Sequence, residues 1–143
     1  MRTDDMGDEL VADLSEEECW QLLAQGEMGR LALSVGGVPD IFPVNHNVDG
    51  RSLLLRTAEG AKLFELTMNS CVAFEVDGWN ADYAWSVVLR GTAAVIEREI
   101  EQFAALRLGV IPWTPLPTTV FVRISPLALT GRRMQRGGFD RWA

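Results

Sequence analysis

Two glycine turns, Gly36-Gly37 and Asp49-Gly50, punctuate three consecutive alternating segments, and no other feature of the chain constrains its fold as strongly. A Gly-Gly or Asp-Gly pair adopts the positive φ that a two-residue turn needs, so each pair sends the chain back antiparallel to itself. One segment, Met28-Gly29-Arg30-Leu31-Ala32-Leu33-Ser34-Val35, runs into the first turn. A second runs from Val38 to His46, and a third, Arg51-Ser52-Leu53-Leu54-Leu55-Arg56-Thr57, leaves the second turn. The spacing predicts a three-stranded antiparallel meander. Pro39 and Pro43 have no amide hydrogen to give to a ladder, which puts the middle strand at a sheet edge or at a bulge.

The remaining segments surround this meander. Ser15 and Glu18 stand in capping-box spacing ahead of Cys19, Leu22 and Leu23, predicting a first helix that stops near Gly26. A short helix is expected from Gly60 to Asn69, with Ala61, Leu63, Phe64, Leu66 and Met68 on one broad face and Lys62 near its start. Cys71 to Asp77 alternates as a fourth strand. Ala84 to Ile96 reads as a long fifth strand, in which Gly91 marks a bulge or bend. Glu97 to Leu108 is expected as a helix with Ile100, Phe103, Ala104 and Leu108 on one side, ending at Gly109. The prolines of Ile111 to Pro117 exclude helix and central strand, and Val120 to Ser125 is the sixth strand. The order predicts an α+β protein in which six antiparallel strands form a closed sheet with flanking helices. Residues 1–13 read as a flexible acidic arm, 14–130 as the folded domain and 131–143 as a basic tail carrying Arg132, Arg133, Arg136 and Arg141.

Composition removes several classes of function. A chain of 143 residues fits one domain, and its 48% hydrophobic content includes no apolar run near the roughly 20 residues that a membrane helix needs. The acidic start lacks the basic and apolar regions of a signal peptide, so a soluble cytoplasmic protein is expected. A net charge of −7 opposes nonspecific binding to nucleic acid. The single histidine and two scattered cysteines lack metal-ligand spacing, and Cys19 and Cys71 are expected as buried free thiols.

One local pattern suits an anion. The strand ending in Arg56-Thr57 turns through Glu59-Gly60 into a helix that carries Lys62, the only lysine among 13 basic side chains. Two cations, a hydroxyl and unpaired helix N-terminal amides match a phosphate. Read alone, the same lysine is an ordinary solvated residue of an amphipathic helix.

Several motifs occur together in order: Gly29-Arg30-Leu31-Ala32, Pro43-Val44-Asn45, Asp49-Gly50, Leu55-Arg56-Thr57 with Lys62-Leu63, Phe74-Glu75-Val76-Asp77, and Trp85-Ser86-Val87-Val88-Leu89-Arg90-Gly91. Together they resemble the pyridoxamine 5′-phosphate oxidase-like, FMN-binding split-barrel family, and most closely its small branch common in actinobacteria. The resemblance implies a six-stranded split barrel, a homodimer and two FMN sites at the dimer interface. It implies that Leu55, Arg56 and Thr57 end the strand facing the cofactor, that Lys62 holds the phosphate, and that Trp85 and Ser86 meet the ring or ribityl chain. Arg132 matches the place of late basic contacts. Leu54, Val44, Val87 and Trp85 are expected to form an apolar slot for the ring. Asn45 and His46 lie on a strand expected to pass the ring, where His46 either bonds the cofactor and moves a proton or pairs with a carboxylate. Trp113 either packs or lines a substrate opening.

The function this implies is an FMN-dependent oxidoreductase acting on a small organic substrate. A deazaflavin-dependent reductase using the C-terminal arginines and a non-catalytic flavin-binding module are the alternatives, and relatives also use haem. Authentic pyridoxamine phosphate oxidases carry a longer, more basic C-terminal segment, so oxidation of that substrate is not expected.

Overall fold

The computed structural model describes residues 10–58, 60, 65–66, 68–110 and 119–136. Its strands are β1 (Val11–Asp13), β2 (Met28–Val35), β3 (Val38–Asp49), β4 (Ser52–Ala58), β5 (Cys71–Trp79), β6 (Tyr83–Val95) and β7 (Thr119–Gln135), and its helices are α1 (Glu16–Gln25) and α2 (Glu99–Arg107). All neighbouring strands are antiparallel in the order β1-β7-β4-β3-β2-β5-β6, and a further pairing of β7 with β6 closes six of the seven into a ring. This is the split-barrel α+β architecture.

The meander forms at the expected turns. Gly36 and Gly37 have φ of 59° and 79°, and Gly50 has 61°, values that cost little only without a Cβ. Residues Val38 to Asn45 of β3 pair with β2, and His46 to Asp49 pair with β4. Pro39 and Pro43 therefore lie in the half of β3 that has a partner on one side only, where a missing donor costs no ladder bond.

β7 organises the barrel. Thr119–Ile124 pairs with β4 on one side, Val122–Gln135 with β6 on the other, and Arg132–Met134 with β1. The ladder between β6 and β7 shifts register at Arg90/Gly91, the bulge that Gly91 predicted. A Cβ on Gly91 would lie 2.2 Å from the Ser125 carbonyl oxygen, so only glycine lets the two strands approach there.

Two apolar clusters result. Leu31, Leu53, Leu55, Phe74, Leu89, Val122 and Ile124 fill the ring, and Cys19, Trp20 and Leu23 of α1 cap it. On the outside of β4, Leu54 packs with Ile96, Ala105, Val110 and Phe121 beneath α2. β4 is thus covered on both faces, which explains a continuous Leu53-Leu54-Leu55 run in a strand that otherwise alternates. The Ser15 capping box is present, with Ser15 Oγ accepting from the Glu18 amide at 3.1 Å and Glu18 Oε1 accepting from the Ser15 amide at 3.2 Å.

The structure corrects several expectations. The sixth expected strand does not stop at Ser125 but continues to Gln135, and Val11–Asp13, expected in the arm, pair with it. Strand pairing satisfies backbone groups whatever the side chains, so the polar, arginine-rich segment carries no apolar signal of its strand state. Cys71 is exposed, and only Cys19 is buried. The buried contact of α2 is made by Ala105, while Ile100 and Phe103 are exposed. Of the helix expected over 60–69, residues 65, 66 and 68 are helical, and the remainder up to 67 lies largely outside the described residues. No helix among the described residues is long and apolar enough to cross a membrane.

Candidate functional site

The expected site residues fall into three places. The first is the outer face of β3 and β4. Arg56 lies with its guanidinium over the Phe121 ring at 5.2 Å and donates from Nη1 to the Val110 carbonyl at 3.3 Å. Asn45, half-buried, pairs with Met28 of β2, one residue before β3 begins its pairing with β4. Asn47 donates from Nδ2 to the Leu108 carbonyl at the C-terminus of α2. Thr57, half-buried, follows Arg56 in the same strand, and alternation turns it to the opposite face. Lys62 and Trp113 lie outside the described residues.

The second place is the core, and it holds residues that the resemblance implied would meet a cofactor. Leu55 is 1% exposed and its side chain points into the ring. Leu54 is buried under α2, and Val44 and Val87 are buried in the ring, so none of the three lines an apolar slot. His46 is also 1% exposed. Its Nε2 is 2.7 Å from the Leu23 carbonyl, and its ring meets Phe74 edge-on at 4.8 Å. A carbonyl only accepts, so Nε2 carries the proton and Nδ1 is the free lone pair, without a partner among the described residues. Burial pushes the imidazole below its ordinary pKa. His46 therefore pairs with neither a carboxylate nor any ligand on the outer surface.

The third place is the outer face of β6 and β7. Register aligns Asp77, Ser86, Arg132 and Asp13 in one row across β5, β6, β7 and β1, and Glu75, Val88 and Thr130 in the next. Arg90, between Ala73 and Ala128, is the following position on this face. Of these, Asp13, Ser86, Val88, Arg90, Thr130 and Arg132 bound a cavity of about 690 Å³, which Leu14, Leu129 and Gly131 also line. Trp85 does not share it. Its parity is that of Val87, its ring lies against Gly78, and it borders a smaller cavity of about 180 Å³ beside α1 with Leu22 and Arg133. The acids next to the larger cavity are already engaged. Arg30 donates to Glu75 Oε1 at 2.6 Å and also to Asp77. Burial, followed by the bond to Asp77, raises the Glu75 carboxyl, while the bond to Glu75 and the nearby Arg30 hold Asp77 down. Arg90 and Arg132 make no ion pair among the described residues.

Arg56 and Ser86 thus belong to separate regions of one chain. Phe121, opposite Arg56, and Arg132, opposite Ser86, are joined by a stretch of β7 that spans up to roughly 35 Å at strand rise. Arg90 and Thr130 escaped the sequence reading because an exposed arginine and threonine on alternating strands carry no signal by themselves. Only the pairing of β6 with β7 sets them beside Ser86.

The closed antiparallel ring with its flanking helices defines a split-barrel protein. The family model for pyridoxamine 5′-phosphate oxidase matches residues 15–133, and the chain belongs to that family. It is similar to the crystal structure of a putative pyridoxamine 5′-phosphate oxidase from Corynebacterium glutamicum, with 36% identity, 89% of this chain and 95% of that one covered, and a TM-score of 0.80. The FAD binding protein from Mycobacterium smegmatis is 39% identical over 87% of this chain and 98% of its own, with a TM-score of 0.75. An uncharacterized Mycobacterium tuberculosis protein, Rv0080, is 33% identical across 87% of this chain and 86% of its length.

Proposed function

We propose that this chain binds a flavin nucleotide, FMN or the FMN portion of FAD, between two copies of itself and acts as an oxidoreductase on a small organic molecule. The placement along β7 supports this reading: Arg56, opposite Phe121, and Ser86, opposite Arg132, belong to different stretches of that strand in one protomer. A homodimer that sets the β4 end of one protomer against the β6–β7 face of the other unites them. Membership of the pyridoxamine 5′-phosphate oxidase family supports it, as does a similar protein that is itself an FAD binding protein.

The residues fit such a group. Arg56 offers a guanidinium to a phosphate, and the rigid stack on Phe121 keeps it in place. Ser86, Thr130 and Arg132 offer donors to polar ring edges or the ribityl chain, and Val88, Leu14 and Leu129 give the cavity apolar wall. When bound, the flavin supplies the hydride or electron transfer, and the chain supplies orientation and exclusion of water. No side chain at this site is required as a proton donor, since His46 is sealed in the core.

The test is an absorption spectrum and gel filtration after incubation with FMN and, separately, FAD. Flavin bands are expected to travel with a dimer-sized peak. Arg56→Ala and Arg132→Ala should each weaken retention tenfold or more, as expected for loss of a charge-assisted bond. Mixing the two variants should restore up to one intact site in each mixed dimer. No recovery on mixing, with dimers still formed, places both residues at one protomer's site and rejects the shared arrangement. A chain that stays colourless with both flavins rejects flavin binding and directs the search to the deazaflavin coenzyme.

A further inference from the structure

We propose that the exposed edge of β3 is built to refuse strand addition. Pro39, Asp40 and Pro43 remove every outward backbone donor between Val38 and Val44, so that a second copy of this chain cannot extend the sheet edge to edge. The inference is independent of the flavin reading, which uses the faces of β4, β6 and β7.

The direction of each backbone group follows from the register. Gly36 and Gly37 form a two-residue turn, so Val35 and Val38 exchange both of their backbone hydrogen bonds. Alternation makes Leu33–Asp40, Leu31–Phe42 and Gly29–Val44 bonded pairs as well, and the His46 amide, which donates to the Glu27 carbonyl at 3.0 Å, continues the same series. Residues 39, 41 and 43 fall between these pairs. Their backbone groups therefore point away from β2, towards the side on which β4 pairs only with His46 to Asp49. Two of the three positions are proline and have no amide hydrogen. The third amide, that of Ile41, donates to Asp40 Oδ1 at 3.1 Å. The edge thus presents three carbonyls and no open donor. An incoming strand both donates and accepts at every second residue, and here its own carbonyls would meet nothing.

The side chains show why this edge needs a guard. Val38 and Ile41 are 68% and 61% exposed, and residues 36–41 are exposed without interruption. A β-branched, apolar strand with open donors and acceptors is a template for another chain. Elsewhere closure of the ring removes the edges, and β1, at the end of the sheet, is only three residues long. Tolerance of proline at an edge accounts for two of the silenced positions. It does not account for the capped amide between them.

The test is gel filtration with light scattering across a concentration series, without flavin, comparing the native chain with a triple variant, Pro39→Thr with Pro43→Thr and Asp40→Ala. Threonine restores the amide and favours a strand without adding much apolar surface. The native chain is expected to keep its mass, while the triple variant forms larger species at a concentration at least about tenfold lower, with a rise of the intermolecular β band in the infrared. Asp40→Asn in the same double-threonine background keeps an oxygen for the Ile41 amide but loses the charge, so it should associate less than Asp40→Ala. A triple variant that keeps its near-ultraviolet dichroism and the native mass overturns the proposal. Equal association of the Asn and Ala variants does so too, since charge and not the capped amide then governs. Larger species without the infrared band also overturn it, because the chains then join through some other surface. Should the triple variant lose its dichroism, Pro39→Thr and Pro43→Thr decide singly: each returns one donor, and native mass in both rejects the guarded edge.

Discussion

The imidazole of His46 donates from Nε2 to the carbonyl of Leu23 at 2.7 Å, joining the centre of β3 to the last turn of α1 inside the barrel. This bond fixes the tautomer, seals the end of the ring and leaves Nδ1 as a lone pair without a donor among the described residues. Protonating Nδ1 would put a charge in the core with nothing to receive it.

Stability should therefore depend on pH through His46. Burial lowers its folded-state pKa below the ordinary 6.5. Above that value both folded and unfolded forms are neutral, and the full contribution is present. As the pH falls through 6.5, the unfolded chain takes up a proton that the folded chain refuses, so stability is lost until the lowered folded value is reached. Urea unfolding near pH 7.5 and near pH 5.5 should show a loss on acidification that is smaller in His46→Gln. An equal loss in both proteins would assign the acid sensitivity to the carboxylates.

Gly91→Ala should destabilise the barrel by about 1–3 kcal/mol, because the added methyl meets the Ser125 carbonyl at 2.2 Å and backbone must move. Gly37→Ala should also destabilise, for a different reason, since open space surrounds its Cβ position and only the φ of 79° is unfavourable. Thermal melts of the two variants distinguish the causes. A larger side chain at position 91, as in Gly91→Val, should worsen the loss, while Gly37→Asn should recover part of it.

Leu54→Ala should cost about 2–5 kcal/mol and loosen α2, whose seat against Ile96, Ala105, Val110 and Phe121 it fills. Hydrogen exchange should show the protection of α2 falling more than that of β2 and β5. Uniform loss across the sheet would mean that α2 is an integral part of the barrel's cooperative unit.

The two thiols should differ in reactivity. Cys71 is exposed, whereas Cys19 is buried and its thiol is pushed up, first by burial and then by Glu18 and Glu16. A thiol-reactive dye should label one cysteine in the native protein and two in urea, and Cys71→Ser should remove the native label.

Much of the fold was legible because its signals are local. Gly36-Gly37 and Asp49-Gly50 dictate turns through backbone φ, Ser15 with Glu18 caps α1 through bonds three residues apart, and Gly91 marks a bulge by its missing Cβ. Alternation in β2, β5 and β6 shows which face is buried, since strand side chains point to opposite sides. The likeness in motif order also identified the family that the matched residues 15–133 define.

The site depended on pairings between distant segments, which no local rule reports. His46 and Leu55 read as cofactor contacts along the chain, yet cross-strand pairing places both side chains in the ring. Arg132 read as part of a tail, yet residues 119–135 form one strand, because backbone hydrogen bonding to β6 and β1 stabilises it whatever its side chains. Arg90, Thr130 and Ser86 become neighbours only through the register of β6 with β7. The sequence determined by itself where the chain turns and which faces are apolar, since φ preference and side-chain periodicity act over a few residues. Which charged side chains share a cavity was decided by the closure of the sheet, since that depends on contacts between residues as distant in the chain as Tyr83 and Gln135.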